Sequence, residues 1–174
     1  MTIQLIYEET RLENSPSIRQ GTSDDYAKLK EIIDLSFPMF FRYFAYHSVT
    51  SDDGKVLVSE NHAVISGFVK LIEFNINSQK YGCILWIAVH PSCRRKGIAS
   101  NLTNASIDDL KNEEAQAVFA STQIRNNAAQ ATLGKAVFRK VYFWGLWNIF
   151  GWRVFSFYRK IWYAPGEVVF IHNS

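Results

Sequence analysis

The chain has 174 residues, of which 48% are hydrophobic and 20% charged, and its formal net charge is +3. Such a chain is long enough to bury a core and too apolar for wholesale disorder. Its small charge, with no long lysine or arginine run, argues against nucleic-acid binding through a broad basic face. Cys83 and Cys93 form no CxxC pair and no Cys/His cluster, so no metal site is expected. The first residues lack a basic region followed by an apolar stretch. No signal peptide is therefore expected, and a cytoplasmic location is the default.

In chain order, Ile3, Leu5 and Tyr7 alternate as a strand would before Asn14, Ser15 and Pro16 break the pattern. Residues 1–16 therefore read as an N-terminal extension that could add a strand, and 17–174 as a single domain. A short strand over 17–20 leads into the cap-rich stretch Gly21, Thr22, Ser23, Asp24 and Asp25, which starts a helix. Tyr26, Leu29, Ile32, Ile33, Leu35 and Phe37 recur along that helix at helical spacing until Pro38 limits it. A second, short aromatic helix is expected over 40–46. Strands follow over 55–59, 63–75 and 81–89, joined by short turns that favour antiparallel pairing. The run from Cys83 to Val89 is apolar at every position, as in a central strand covered on both faces.

After Gly97, the residues Ile98, Leu102, Ala105, Ile107 and Leu110 supply the apolar stripe of a helix. A strand is expected over 115–121. Asn126 and Asn127 can cap a helix that runs through Ala128, Ala131, Leu133 and Val137. Residues 152–163 and 167–172 both alternate as strands around a turn at Pro165 and Gly166. The order predicts an α/β (α+β) domain with a mixed, mostly antiparallel central sheet flanked by helices on both faces, and with one parallel crossover.

One segment carries chemistry. The strand ends at Val89, Pro91 follows, and Arg94, Arg95, Lys96, Gly97, Ile98 and Ala99 open a helix. A helix start offers free N–H groups and the positive end of its dipole, small residues let a phosphate approach, and the three cations add charge. The residues by themselves point to an anion site, phosphate above all. Neither GxGxxG nor GxxxxGK[ST] occurs.

This segment resembles the signature of the GNAT superfamily of N-acetyltransferases: Arg/Gln-x-x-Gly-x-Gly/Ala after a strand that ends in an apolar-Val-x-Pro pattern. The sequence here has Ile87, Ala88, Val89, His90 and Pro91, then Arg94 to Ala99. Ile18, Arg19, Asp24 and Asp25 are similar to the family's first strand and helix. Asn127, Ala128 and Ala129 look like the start of its fourth helix, so the resemblance spans roughly 17–173.

The resemblance implies acetyl-CoA as co-substrate, no metal, and direct attack by a primary amine of a small molecule or protein. Backbone amides of Arg95, Lys96, Gly97, Ile98, Ala99 and Ser100, with the charge of Arg94, would hold the pyrophosphate. Ile87, Ala88 and Val89 would pair with the pantetheine arm, the Val89 N–H facing the thioester carbonyl. Asn127 would either sit near that arm or serve only as a cap. The family's usual catalytic groups are missing from their places. Leu133 or Gly134 stands where its tyrosine acid is found, and Cys83 and Ser121 stand where its glutamate base is found. Tyr142, Tyr158, Glu73 and His90 are the substitutes at hand, and water chains could also carry the proton. The missing groups leave a second reading open, a non-catalytic acyl-CoA-binding or sensing module on the same fold.

Aromatic residues concentrate over 37–46 and 138–163. They could line an acceptor pocket, form a homodimer contact, or fill the core. The ten-residue apolar run 141–150 is flanked by Arg139, Lys140 and Arg153. It is too short to span a bilayer, which takes about 20 residues, but contact with a membrane surface stays open.

Overall fold

The computed structural model describes residues 16–173; the expected alternation at Ile3, Leu5 and Tyr7 lies outside them. Among the described residues, seven strands form one sheet: β1 (Ser17–Gln20), β2 (Lys55–Asn61), β3 (Val64–Ile76), β4 (Gln79–Val89), β5 (Ala117–Gln123), β6 (Arg139–Val141) and β7 (Glu167–Asn173). Their order is β1-β2-β3-β4-β5-β7-β6. Of these seven, only β4 and β5 pair in parallel, through the crossover helix α3 (Ile98–Asn112). The sheet is thus mixed and mostly antiparallel, as the sequence implied, with β4 at its centre.

Side chains alternate across the sheet and meet a different helix pair on each side. On one face, Val69, Leu71, Ile84, Val118, Ala120 and Phe170 pack against α3 and α4 (Asn127–Lys135). The opposite face has two parts. Phe68, Ala88 and Val58 meet α1 (Tyr26–Ser36) and α2 (Met39–Thr50). Ile72, Cys83, Phe119 and Val169 meet α5 (Phe143–Phe150) and α6 (Val154–Lys160). Phe119, Phe150 and Phe157 anchor this second part, with ring centroids 4.7–5.7 Å apart. Gly82 lets α3 pack close, because a Cβ there would stand 2.7 Å from the Leu110 side chain, which would have to shift.

Three expectations need correction. Residues 152–163 are not a strand but a 3₁₀ turn (Gly151–Arg153) and α6. Val154, Phe157 and Ile161, spaced three and four apart, are the ones the core takes up, leaving Trp152 and Phe155 outside. That helical stripe overrides the period-two alternation. Helix α4 stops at Lys135, and Val137 lies beyond it, exposed and in the left-handed region at φ 62°. Helix α2 runs to Thr50, well past the expected 46.

The entry to α1 is pinned electrostatically. The buried Asp25 carboxylate accepts both Arg19 guanidinium Nη groups, at 2.8 and 2.9 Å, and the Thr22 N–H at 2.8 Å. Arg19 Nε also donates to Glu60. The Arg19 hydrogen bonds lead in lowering the Asp25 pKa to about 2. A carboxyl with a depressed folded-state pKa adds stability above its unfolded pKa of about 3.9, and that stability is lost as pH falls through the folded value. Asp25→Asn is therefore expected to cost about 2 kcal/mol near neutrality. Thermal melts in acid should then show the variant losing less of its remaining stability than the wild type between about pH 4 and pH 2.

Candidate active site

The central strand is open along part of one edge. Strands β4 and β5 pair only at Gly82 with Val118, Cys83 with Phe119 and Ile84 with Ala120. The β3 register then shifts, with Lys70 opposite Trp86 and Leu71 opposite Ile84, so Leu85 is the extra residue of a β-bulge. A bulge bends its strand and turns two neighbouring side chains to one side. Leu85 and Trp86 accordingly face the α1/α2/α5/α6 side, while Ile87 and Val89 face α3. The expected cover on both faces holds for Cys83 and Ile84; Leu85, Trp86 and Ile87 are only half-buried, because β5 has moved away.

The open edge presents backbone groups. His90 N–H donates to the Ser66 carbonyl on β3, at 2.8 Å. Backbone groups of successive strand residues point to opposite edges, so Ile87 and Val89 turn theirs to the side that β5 has left. This is an edge that an extended amide chain can pair with. Gly67 lets the end of β4 sit close, since a Cβ there would meet the Ala88 carbonyl at 2.8 Å and Ile98 at 3.3 Å.

At the top of this edge a 3₁₀ turn (Pro91–Cys93) leads to Arg94, Arg95 and Lys96, all exposed, and then to α3. Arg95 (φ 64°) and Gly97 (φ 80°) are left-handed. The first helical bond of α3 runs from Asn101 N–H to the Gly97 carbonyl. The amides of Ile98, Ala99 and Ser100 have no carbonyl one turn back and point out of the helix start. A Cβ at Gly97 would meet no atom of the described residues within 4 Å. The glycine therefore serves the backbone conformation and leaves open space at the helix start. Open space, free amides and three cations fit a pyrophosphate.

Arg94 braces this loop, its Nε donating to the Val89 carbonyl at 3.2 Å and its Nη to Ser36 Oγ at 3.3 Å. His90 Nδ1 accepts from the Ser92 N–H, which puts the ring proton on Nε2, 3.4 Å from Glu31. Both ring nitrogens thus serve the loop. The cap of α4 is Asn126, whose Oδ1 accepts from Ala129 N–H at 3.2 Å. Asn127 begins the helix beside it with an exposed side chain.

Beyond the point where β5 parts from β4, on the face opposite α3, polar groups converge. Ser121, the first β5 residue past the β4 pairing, donates to Glu167 Oε2 at 2.8 Å. The same oxygen accepts the Ala164 N–H at 3.2 Å. Tyr163 donates its hydroxyl to the Glu167 carbonyl at 3.0 Å, and its ring lies 4.6 Å from Tyr158. Burial, helped by the charge of Glu167, pushes the Cys83 thiol well above its usual range, so it stays protonated. Burial also raises Tyr158. The indole Nε1 of Trp86 is buried with no hydrogen-bond partner among the described residues. A buried donor without a partner is costly.

The other catalytic candidates from the sequence lie elsewhere. Glu73 pairs with Lys80 at 2.5 Å, and Lys80 also reaches Glu113 just past the C-terminal end of α3, a helix length from the open loop. Tyr142 follows the edge strand β6 and is 71% exposed. Lys70, buried on β3 opposite Trp86, points to the Ser51 carbonyl at the end of α2, and burial lowers its pKa. Glu167 was not anticipated; its one local signal is a carboxylate directly after Pro165 and Gly166. Among the described residues, no group of three or more His, Cys, Asp or Glu could hold a metal ion.

Residues 11–137 match the profile of the Acetyltransferase (GNAT) family. An N-alpha-acetyltransferase of Saccharolobus solfataricus is 27% identical over 136 residues, covering 72% of this chain and 81% of that protein. N-alpha-acetyltransferase 30 of Schizosaccharomyces pombe is 28% identical over 115 residues, 63% of this chain and 75% of that protein. In structure, a GNAT-family acetyltransferase from Desulfovibrio desulfuricans superposes with a TM-score of 0.71 at 12% identity, over 91% of this chain and 99% of that one.

Proposed function

The chain belongs to the GNAT acetyltransferase family and is an acetyl-CoA-dependent acetyltransferase, and from that premise we propose that its acceptor is the α-amino group of a polypeptide. The observation that carries this reading is that both N-alpha-acetyltransferases match over most of their own length, 81% and 75%. The acceptor-side lining suits an ammonium beside a peptide chain. Glu167 offers the carboxylate.

In this reading the open edge of Ile87, Ala88 and Val89 holds the pantetheine arm, and the loop and α3 start from Arg94 to Ser100 hold the pyrophosphate. Asn127 lies beside the arm rather than capping α4. Acetyl-CoA supplies the activated acyl group. Glu167 takes the proton of the incoming ammonium, directly or through water. The amine nitrogen then bonds to the thioester carbon as the C–S bond breaks and sheds its second proton to water, with the Val89 N–H turned to the carbonyl oxygen. Tyr158, which burial keeps in its neutral, donating form, gives a proton to the leaving thiolate and regains one from water.

The family and its relatives favour transfer over a non-catalytic acyl-CoA sensor. Among the described residues no helix is long and apolar enough to cross a membrane. A cytoplasmic place of action belongs to this reading, since acetyl-CoA and new polypeptide N termini meet there.

Thiol release from acetyl-CoA, followed over a panel of peptides with free N termini, polyamines and aminoglycosides, tests the acceptor. Peptides should be turned over with kcat/KM at least about a hundredfold above the small amines. Equal or better turnover of the small amines would overturn the assignment.

A further inference from the structure

Helices α5 and α6 bury one side only. Leu146, Phe150, Val154, Phe157 and Ile161 enter the core, while Trp144, Trp152 and Phe155 remain 66–73% exposed. The outer rings form a continuous cluster: Phe143 lies 5.4 Å from Trp144, 5.9 Å from Trp147 and 6.4 Å from Phe155. Monomeric soluble proteins rarely leave so many large rings together in water.

The charge of this region is one-sided. All 16 acidic residues of the chain lie outside 115–166, a stretch that holds seven cations. Of these, Arg139, Arg153 and Arg159 are exposed on or beside the helix pair. Arg153 stacks on Trp152, its guanidinium 5.4 Å from the ring. Exposed tryptophans with interleaved basic side chains match the demands of a headgroup layer, where an indole sits half in hydrocarbon and a cation meets anionic lipid. With eight and seven residues, the helices are too short to span and can only lie flat.

A second copy would fit this face less well. A two-fold contact would set the patch against itself, bringing these cations together without an acid from 115–166 to answer them.

We propose that the outer face of α5 and α6 docks the protein on anionic lipid surfaces. The core-facing residues hold the pair rigid, so the rings are presented without unfolding. The neighbouring α2 adds Met39, Phe40 and Tyr43, each at least 71% exposed, and its Phe44 ring lies 6.4 Å from Trp162 just beyond α6.

Flotation of the purified protein with vesicles tests this. The protein should float with phosphatidylcholine vesicles that contain phosphatidylglycerol, stay behind with pure phosphatidylcholine, and be released by high salt. Trp144→Ala/Trp152→Ala/Phe155→Ala and, separately, Arg139→Glu/Arg153→Glu should each lower the bound fraction at least about tenfold. The melting shift with acetyl-CoA should be unchanged in both, showing that each variant is folded. Failure of the wild type to float, or equal flotation of wild type and both variants, would overturn the proposal. So would a dimer in solution, lost in the ring variant, without vesicle binding.

Discussion

Gly97→Glu is expected to abolish acetyl-CoA binding while leaving the protein folded. In the wild type, acetyl-CoA at about a hundred times its Kd should stabilise the fold by about 2.7 kcal/mol, a rise in Tm of about 5–10 °C. In the variant that rise should vanish. The substitution places a side chain into space that meets no atom of the described residues within 4 Å, so packing does not resist it. Residue 97 sits at φ 80°, and a side chain there costs about 1–2 kcal/mol. The new carboxylate would lie at the start of α3, where free amides and the dipole favour an anion. It would occupy the place of the pyrophosphate and repel it. Gly97→Ala separates the two effects: the backbone strain is kept, no charge is added, and much of the acetyl-CoA shift should survive. Equal Tm shifts in wild type and Gly97→Glu would place the cofactor elsewhere.

Glu167→Gln is expected to lower kcat by a factor of about 10²–10⁴, the range ascribed to a positioned base. The KM for acetyl-CoA should stay unchanged, because Glu167 stands across the sheet from the α3 loop. Glutamine keeps an oxygen for the Ser121 hydroxyl and the Ala164 amide, so the fold should persist. The pH profile separates a base from a structural contact. With the base removed, only amine already deprotonated in solution can react. The variant's rate should therefore keep rising as pH passes the α-amino pKa of about 7.7–8.0. A parallel fall in kcat and Tm with an unchanged pH profile would make Glu167 a structural residue only.

The loop from Val89 to Ala99 was legible in the sequence because its determinants are local. An apolar run stops at a proline, cations follow, and a glycine stands where a helix begins, so each signal lies within a few residues of the next. The centrality of β4 was legible for a similar reason, since every side chain from Cys83 to Val89 is apolar. That Leu85 is a bulge, and that β5 leaves β4 after Ala120, depends on pairing between segments far apart in the chain. No window of sequence holds that information.

Residues 152–163 were misread because Trp152, Val154, Ser156 and Tyr158 alternate while Val154, Phe157 and Ile161 also repeat as a helix face. Burial under the sheet, rather than propensity, decides between them. Glu167 gains its meaning only because β7 inserts between β5 and β6, which brings a carboxylate from near the end of the chain beside Ser121. The cap of α4 was ambiguous for a simpler reason: Asn126 and Asn127 are adjacent and chemically identical, and the structure gives the cap to the first.

The central claim is acetyl transfer from acetyl-CoA to a polypeptide α-amine. It is tested most directly by one reaction on one peptide that carries both a free N terminus and an internal lysine, analysed by tandem mass spectrometry. The α-nitrogen should be acetylated and the lysine left free, with the product absent when acetyl-CoA is omitted. Acetylation of the lysine with a free α-amine, or no transfer to either nitrogen, would contradict it.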